Sequence, residues 1–211
     1  MSEDNLNNNS IYGEYKVVLE TIMNRLCAKF EEMNEAVFNE TGDHLYEHLT
    51  SRIKSDDSMR EKCERRGFKP DAYSAVHLLR DAIGIRIITS FREDIYAIIE
   101  AIRKFDNCQI LEEKDYIKHA KDNGYRSYHM ILAYKAEFED PEGNNPGEFF
   151  VEIQLRTIAM DSWASLEHKM RYKKNIKNQN LIEQELKRCA DELASCDVSM
   201  QTIRRLIKES D

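Results

Sequence analysis

The chain has 211 residues, 41% of them hydrophobic and 33% charged, with a formal net charge of −8 and an isoelectric point near 5.4. This composition excludes a disordered chain and gives one substantial domain with helical extensions. No apolar run is long enough to span a bilayer, and the polar start Met1-Ser2-Glu3-Asp4-Asn5 is no secretory signal.

Residues 1–10 are polar and asparagine-rich and are expected to be a disordered tail. From 11 to 40, Tyr15, Leu19, Ile22, Leu26, Phe30, Met33 and Val37 recur at steps of three and four, which predicts one long amphipathic helix ended by Thr41-Gly42-Asp43. Residues 56–66 read as a short charged helix with Asp56 and Asp57 at its start and Gly67 and Pro70 beyond its end. A second short helix is expected at 72–80. Residues 83–91 are rich in isoleucine and read as a buried strand, 93–105 as a helix, and 109–117, 126–134 and 148–157 as further strands. A helix is expected at 158–172. In the tail at 179–208, Leu186, Cys189, Leu193, Cys196, Met200, Ile203 and Ile207 alternate steps of three and four, which fits either packing on the chain's own domain or an oligomer contact. The fold class is therefore α/β (α+β), with at least four strands flanked by long helices. The expected units are a tail at 1–10, a domain at 11–178 and a C-terminal helix at 179–211.

Bulk acidity disfavours binding to long nucleic acid. The cations are nevertheless clustered at 52–69 and 114–126, which suits a small anionic ligand. Five scattered cysteines without a Cys-x-x-Cys pair read as reduced thiols, and the protein is expected to be cytoplasmic. The run 118–129 combines cations, histidines and tyrosines around an Asn-Gly turn that feeds a strand, a cradle for a charged ring compound.

Strand alternation sorts the chemistry. In 148–157 the side chains Glu152, Gln154 and Arg156 share one face, and Ser127 and His129 alternate in the same way in theirs. Asp81 stands just before the strand that carries Arg86, placed to share Mg²⁺ with Glu152, since two carboxylates plus substrate phosphates is a usual protein share of such a site. Arg52 and Lys54, with Lys62, Arg65, Arg66 and Lys69, supply donors for a polyphosphate. There is no Gly-x-x-x-x-Gly-Lys-Ser/Thr loop, no Gly-x-Gly-x-x-Gly and no Gly-x-Ser-x-Gly. His44-Leu45-Tyr46-Glu47-His48 matches the inverted zincin pattern, but nothing specifies a third ligand and the match is weak.

Six segments taken in order resemble the synthetase domain of the RelA/SpoT family, most closely its small stand-alone alarmone synthetases. They are Ser-Arg-Ile-Lys-Ser (51–55), Asp-Ala-Ile-Gly-Ile-Arg (81–86), Lys-Asp-Tyr-Ile (114–117), Asn-Gly-Tyr-Arg-Ser-Tyr-His (123–129), Val-Glu-Ile-Gln-Leu-Arg-Thr (151–157) and Trp-Ala-Ser-Leu-Glu-His-Lys (163–169). The resemblance spans about 51–172. It implies a nucleotidyltransferase-like mixed sheet and transfer of pyrophosphate from ATP to the 3′-hydroxyl of GDP or GTP, without hydrolase activity. By the same resemblance Asp81 and Glu152 bind Mg²⁺, with Glu152 the alternative general base. Arg52 and Arg86 sandwich adenine, while Lys54, Ser55, Lys62 and Arg65 serve ATP. Tyr125 stacks on guanine, and Lys121, Asn123, Arg126, His129, Gln154 and Lys114 serve the acceptor, His129 also in catalysis.

The resemblance further implies a homotetramer and no nucleic-acid or membrane partner. Members activated by pppGpp tend to carry an aromatic residue before the first motif and Asn at the position of Asp161; His48 and Asp161 stand here, which predicts weak or no activation. The alternative function is that of toxic relatives, which pyrophosphorylate the tRNA 3′ end or make adenosine alarmones. The acidic composition argues against a tRNA body as substrate.

Overall fold

The computed structural model describes residues 10–171 and 178–210. Most of the expected N-terminal tail, the expected helix end at Tyr172 and the approach to the expected boundary at 178 lie outside the described residues.

The first helix, α1 (Tyr15–Thr41), buries Leu19, Ile22, Leu26 and Phe30 on one stripe, and Gly42 closes it at φ 77° with its N–H on the Phe38 carbonyl. The next elements are β1 (His48–Ile53), α2 (Asp56–Arg66) and β2 (Ile83–Thr89). They are followed by α3 (Arg92–Ile102), β3 (Cys108–Asp115), β4 (Tyr128–Ala136), β5 (Gly147–Thr157), α4 (Ile158–Arg171) and α5 (Gln179–Lys208). The five strands form one mixed sheet in the order β1-β2-β5-β4-β3. Only the β2–β5 pair is parallel; β1–β2, β5–β4 and β4–β3 are antiparallel.

Alternation splits the sheet into two chemistries. One face presents Ile83, Ile85, Ile87, Met130, Leu132, Phe149, Val151, Ile153 and Leu155, each at most 1% exposed. This face joins the stripes of α1 and α3 in one core with Ile95, Ile98, Ile99 and Ile102. The other face carries the polar residues of the candidate site.

Several sequence expectations differ from the structure; the helix expected at 93–105 ends at Ile102 and the strand expected at 109–117 ends at Asp115. β1 was not expected as a strand; it is an edge strand with mostly exposed side chains, so it lacks the apolar alternation that marks a half-buried one. The helix expected at 72–80 is a five-residue π-helical turn at Ser74–Leu78. The Asp71 carboxylate accepts the Ser74 N–H at its start, and Leu79 is already extended on the way to β2. The strand expected at 126–134 begins two residues later, because Ser127 is buried with its hydroxyl donated to the Leu155 carbonyl.

The C-terminal helix docks on its own domain through Leu186, Ala190, Asp197, Gln201 and Arg204. Thr157 Oγ1 donates to Asp197 Oδ2 at 2.6 Å, Gln201 Nε2 to Glu93 at 2.7 Å, and Arg204 to Asp94 at 2.6 Å. Of the other seam residues, Leu193 is half-buried and Cys189, Cys196, Met200, Ile203 and Ile207 stay exposed. Packing of the tail on its own domain is therefore observed for one face of the helix. All five cysteines are free.

Candidate active site

Strand register brings the polar residues into rows across the sheet. Arg52 pairs with Gly84, Gly84 with Glu152 and Glu152 with Ile131. In the next row Thr50 pairs with Arg86, Arg86 with Gln154, Gln154 with His129, and His129 with Lys114. Partners in register project to the same side, so residues from all five strands face one cleft.

A pocket of about 250 Å³ opens on these rows, lined by Arg52, Lys54, Asp81, Arg86, Glu152 and Gln154 among others. Arg52, Gly84 and Arg86 line it together, and the glycine adds no side chain to the slot they bound; guanidinium groups there suit a flat aromatic ring. Below the slot, the ammonium groups of Lys54 and Lys62 both bond Asp81 Oδ2, the latter at 2.5 Å. Asp81 is 13% exposed, and its Oδ1 is buried without a hydrogen-bond partner. Burial pushes the Glu152 carboxyl up, but His129, the Gln154 amide and Lys54 outweigh it and hold it at about 2. Glu152 is therefore a carboxylate throughout the neutral range.

Glu152 also belongs to a closed ring of polar contacts. His129 Nδ1 stands 3.5 Å from Glu152 Oε1, and the other imidazole nitrogen lies 2.8 Å from the Tyr125 hydroxyl. Arg156 donates to that hydroxyl at 2.8 Å and to Gln154 Oε1 at 3.0 Å. Gln154 Nε2 returns to Glu152 Oε2 at 3.0 Å. Arg156 also donates to Asp161 Oδ1 at 2.9 Å, and Arg86 approaches the same oxygen at 3.5 Å. Burial and the adjacent Arg156 push the Arg86 pKa down, with Asp161 partly offsetting them. The Tyr125 ring packs against Trp163 at 6.4 Å and meets His129 edge-on at 5.9 Å. The Lys121 ammonium lies 4.8 Å from its centroid.

Comparison with known proteins identifies the lineage of this cleft. Residues 51–177 match the family described as the region found in RelA / SpoT proteins. The chain belongs to the RelA/SpoT family. It is 35% identical over 190 residues to GTP pyrophosphokinase YwaC of Bacillus subtilis, covering 90% of this chain and 88% of that one. The crystal structure of small alarmone synthetase 2 from Bacillus subtilis superposes with a TM-score of 0.76 at 34% identity, covering 90% of this chain and 95% of that one. That of small alarmone synthetase 1 from the same organism, bound to its product pppGpp, gives a TM-score of 0.78 at 27% identity, covering 92% and 96%. The mixed sheet expected of a RelA/SpoT synthetase domain is the sheet observed.

Within this RelA/SpoT cleft, Asp81, Glu152, Arg52, Lys54, Lys62, Arg86, Gln154, His129, Tyr125 and Lys121 come together. Arg65 is exposed one turn beyond Lys62 on α2 and does not line the pocket. Ser55 is the N-cap residue of α2, its hydroxyl directed to Ser58 at 2.9 Å. Lys114 faces the site side but its ammonium is bonded to Glu112, which pushes its pKa up. Asn123 shapes its own turn: its Oδ1 accepts the Tyr125 N–H at 3.1 Å, and its amide reaches Glu167 at 3.4 Å.

Arg126 lies just ahead of β4, and its guanidinium bonds Gly124 O, Ala190 O and Asp191. Asp161 Oδ1 lies 2.9 Å from the Arg156 guanidinium and 3.5 Å from that of Arg86. In the His44–His48 segment, His44 stacks on Phe38 and Glu47 accepts from Ser90. Alternation with Glu152 and Gln154 already set Arg156 on the site face; Asp161 and Trp163 arrive on a helix whose docking no local pattern records.

Proposed function

We infer that this chain is a (p)ppGpp synthetase, transferring pyrophosphate from ATP to the 3′-hydroxyl of GDP or GTP with release of AMP. The carrying observation is the pairing, on one sheet face, of an arginine-walled slot above Asp81 and Glu152 with a tyrosine-centred cradle across Glu152. The first fits a purine with its phosphates and the second fits another purine nucleotide, with one carboxylate between them. The 3′-hydroxyl gives its proton to the Glu152 carboxylate as its oxygen attacks the β-phosphorus, the bond to the α,β-bridging oxygen breaks, and AMP leaves with that oxygen. Such a reaction depends on positioning and on charge neutralisation more than on covalent chemistry.

On the donor side, Arg52 and Arg86 clasp adenine while Lys54, Lys62 and the more distant Arg65 turn to the phosphates. Mg²⁺ is the cofactor that fits. Asp81 Oδ1 is a buried oxygen without a partner, and Glu152 is a second carboxylate on the same pocket. Bound there, the ion would neutralise phosphate charge. Because the chain offers only two carboxylates, Mg²⁺ should bind measurably only together with ATP, and titration calorimetry with and without ATP checks this. Tight binding of Mg²⁺ to the nucleotide-free chain would sink that assignment.

On the acceptor side, Tyr125 stacks on guanine, and Lys121 leaves the ring for the acceptor phosphates. Tyr125→Ala should raise the KM for the guanine nucleotide roughly 10–100-fold, the range expected from about 1–3 kcal/mol of base stacking. The KM for ATP should hold. Tyr125→Phe, which keeps the ring but loses the hydroxyl between His129 and Arg156, should leave that KM near normal and lower kcat. Equal KM changes for both nucleotides would argue against the platform.

A homotetramer is supported by the apolar stripe of Met200, Ile203, Leu206 and Ile207, each at least half exposed on α5. Sedimentation at a monomer mass would remove that reading. The function itself is tested by incubating labelled ATP and Mg²⁺ with GDP, GTP, GMP, ATP or tRNA and separating the products. Label on GDP and GTP is expected; label on tRNA or adenosine nucleotides alone would replace the reading.

A further inference from the structure

The loop that presents Tyr125 is held from outside by α5, more than sixty residues further along the chain. Tyr125 is flanked by two residues that touch this helix. Gly124, at φ 89°, sits so close that a Cβ would lie 2.6 Å from the Ala190 Cβ and 3.5 Å from Lys187 Cα. A single nitrogen of Arg126 donates to both the Gly124 carbonyl, at 3.2 Å, and the Ala190 carbonyl, at 3.4 Å. The other terminal nitrogen donates to Asp191 Oδ1 at 3.1 Å. The indole beneath Tyr125 is tied to the same helix, since Trp163 Nε1 donates to the Leu186 carbonyl at 2.7 Å. The loop's internal bonds, such as Gly124 N–H to the Lys121 carbonyl, set its turn but not its height over the sheet.

We propose that α5 is the positioning element of the acceptor site: Ala190 and Asp191, through Gly124 and Arg126, fix the height and tilt of Tyr125 and so set the affinity for the guanine nucleotide. The proposal rests on Tyr125 being the guanine platform. Ala190 is as large as the contact allows, so a bigger side chain must lift the loop away from the helix. Asp191 is the anionic half of the Arg126 clamp. None of these groups lines the donor pocket, so the effect should fall on one substrate. Binding is reciprocal: a ligand that needs the loop seated also favours the docked helix.

The test compares wild type, Ala190→Leu and Asp191→Ala. Initial rates give both KM values, hydrogen exchange reports the loop at 116–127, and thermal unfolding verifies folding. We expect the KM for GDP to rise about tenfold or more in Ala190→Leu and about threefold to fivefold in Asp191→Ala. The KM for ATP should stay within twofold, with faster exchange confined to the loop and α5. GDP should slow exchange in α5 of the wild type. If Ala190→Leu fails to fold, Asp191→Ala, at the exposed rim, carries the test. An active wild type whose folded variants keep both KM values, or raise both equally, overturns the positioning role alone. A wild type that does not pyrophosphorylate guanine nucleotides overturns the functional reading and the inference with it.

Discussion

Glu152→Gln should lower kcat for pyrophosphate transfer by roughly 10²–10⁴-fold, the range associated with losing a proton-transfer or charge-stabilising group, while both KM values change little. The amide keeps the shape and can still meet Gln154, but it removes the carboxylate that the proposed function sets between donor and acceptor. In the free chain this carboxyl is held at about 2, which makes it a weak base. The groups that hold it down are His129, the Gln154 amide and Lys54, against the upward push of burial.

The depressed pKa of Glu152 links folding to pH. A folded pKa near 2, below the ordinary 4.5, gives a stabilising contribution that is complete above pH about 4.5 and is lost as pH falls toward 2. In Glu152→Gln, acid unfolding should lose that part of its pH dependence. A kcat within threefold of wild type would refute the central role of Glu152.

Arg156→Leu should be the most destabilising substitution at the site. The Arg156 side chain is 7% exposed and is the single donor joining Asp161, Tyr125 and Gln154. Removing it strands a partly buried carboxylate and breaks the ring around Glu152. Breaking a buried pair from one side costs about 3–5 kcal/mol, which for a chain of this size corresponds to a fall in Tm of roughly 6–20 °C. Arg86 would keep Asp161 company at their 3.5 Å separation, which places the expected loss toward the lower end. Arg156→Leu combined with Asp161→Leu should recover part of the stability, because the uncompensated charge goes too. It should not restore the ring around Glu152, since Tyr125 and Gln154 would still lack their arginine. Calorimetric unfolding of both variants decides this, and a Tm change below 2 °C for the single variant would contradict the role of Arg156.

Much of the site was legible because a strand's period of two is strict. Glu152, Gln154 and Arg156 had to share a face. Ser127 and Arg126 lie ahead of β4, where that period no longer applies, and the bonds of Arg126 to Ala190 and Asp191 carry no local signal. The long elements were legible for a similar reason: α1 and α5 repeat their apolar residues over 27 and 30 residues, enough turns for a period to stand out. The edge strand β1 and the π-helical turn at Ser74–Leu78 carry too few buried residues for any period to register.

The sequence by itself determined the set of reactive residues, the face each strand would offer and the family to which they belong, because these follow from side-chain chemistry and local periodicity. Tertiary structure alone decided which rows align across the sheet, how Arg156 and Asp161 close the ring around Glu152, and that α5 returns to seat the loop bearing Tyr125. These are contacts between segments far apart in the chain. They are fixed by strand register and by helix docking on a shared core, and no local pattern encodes where such partners will meet.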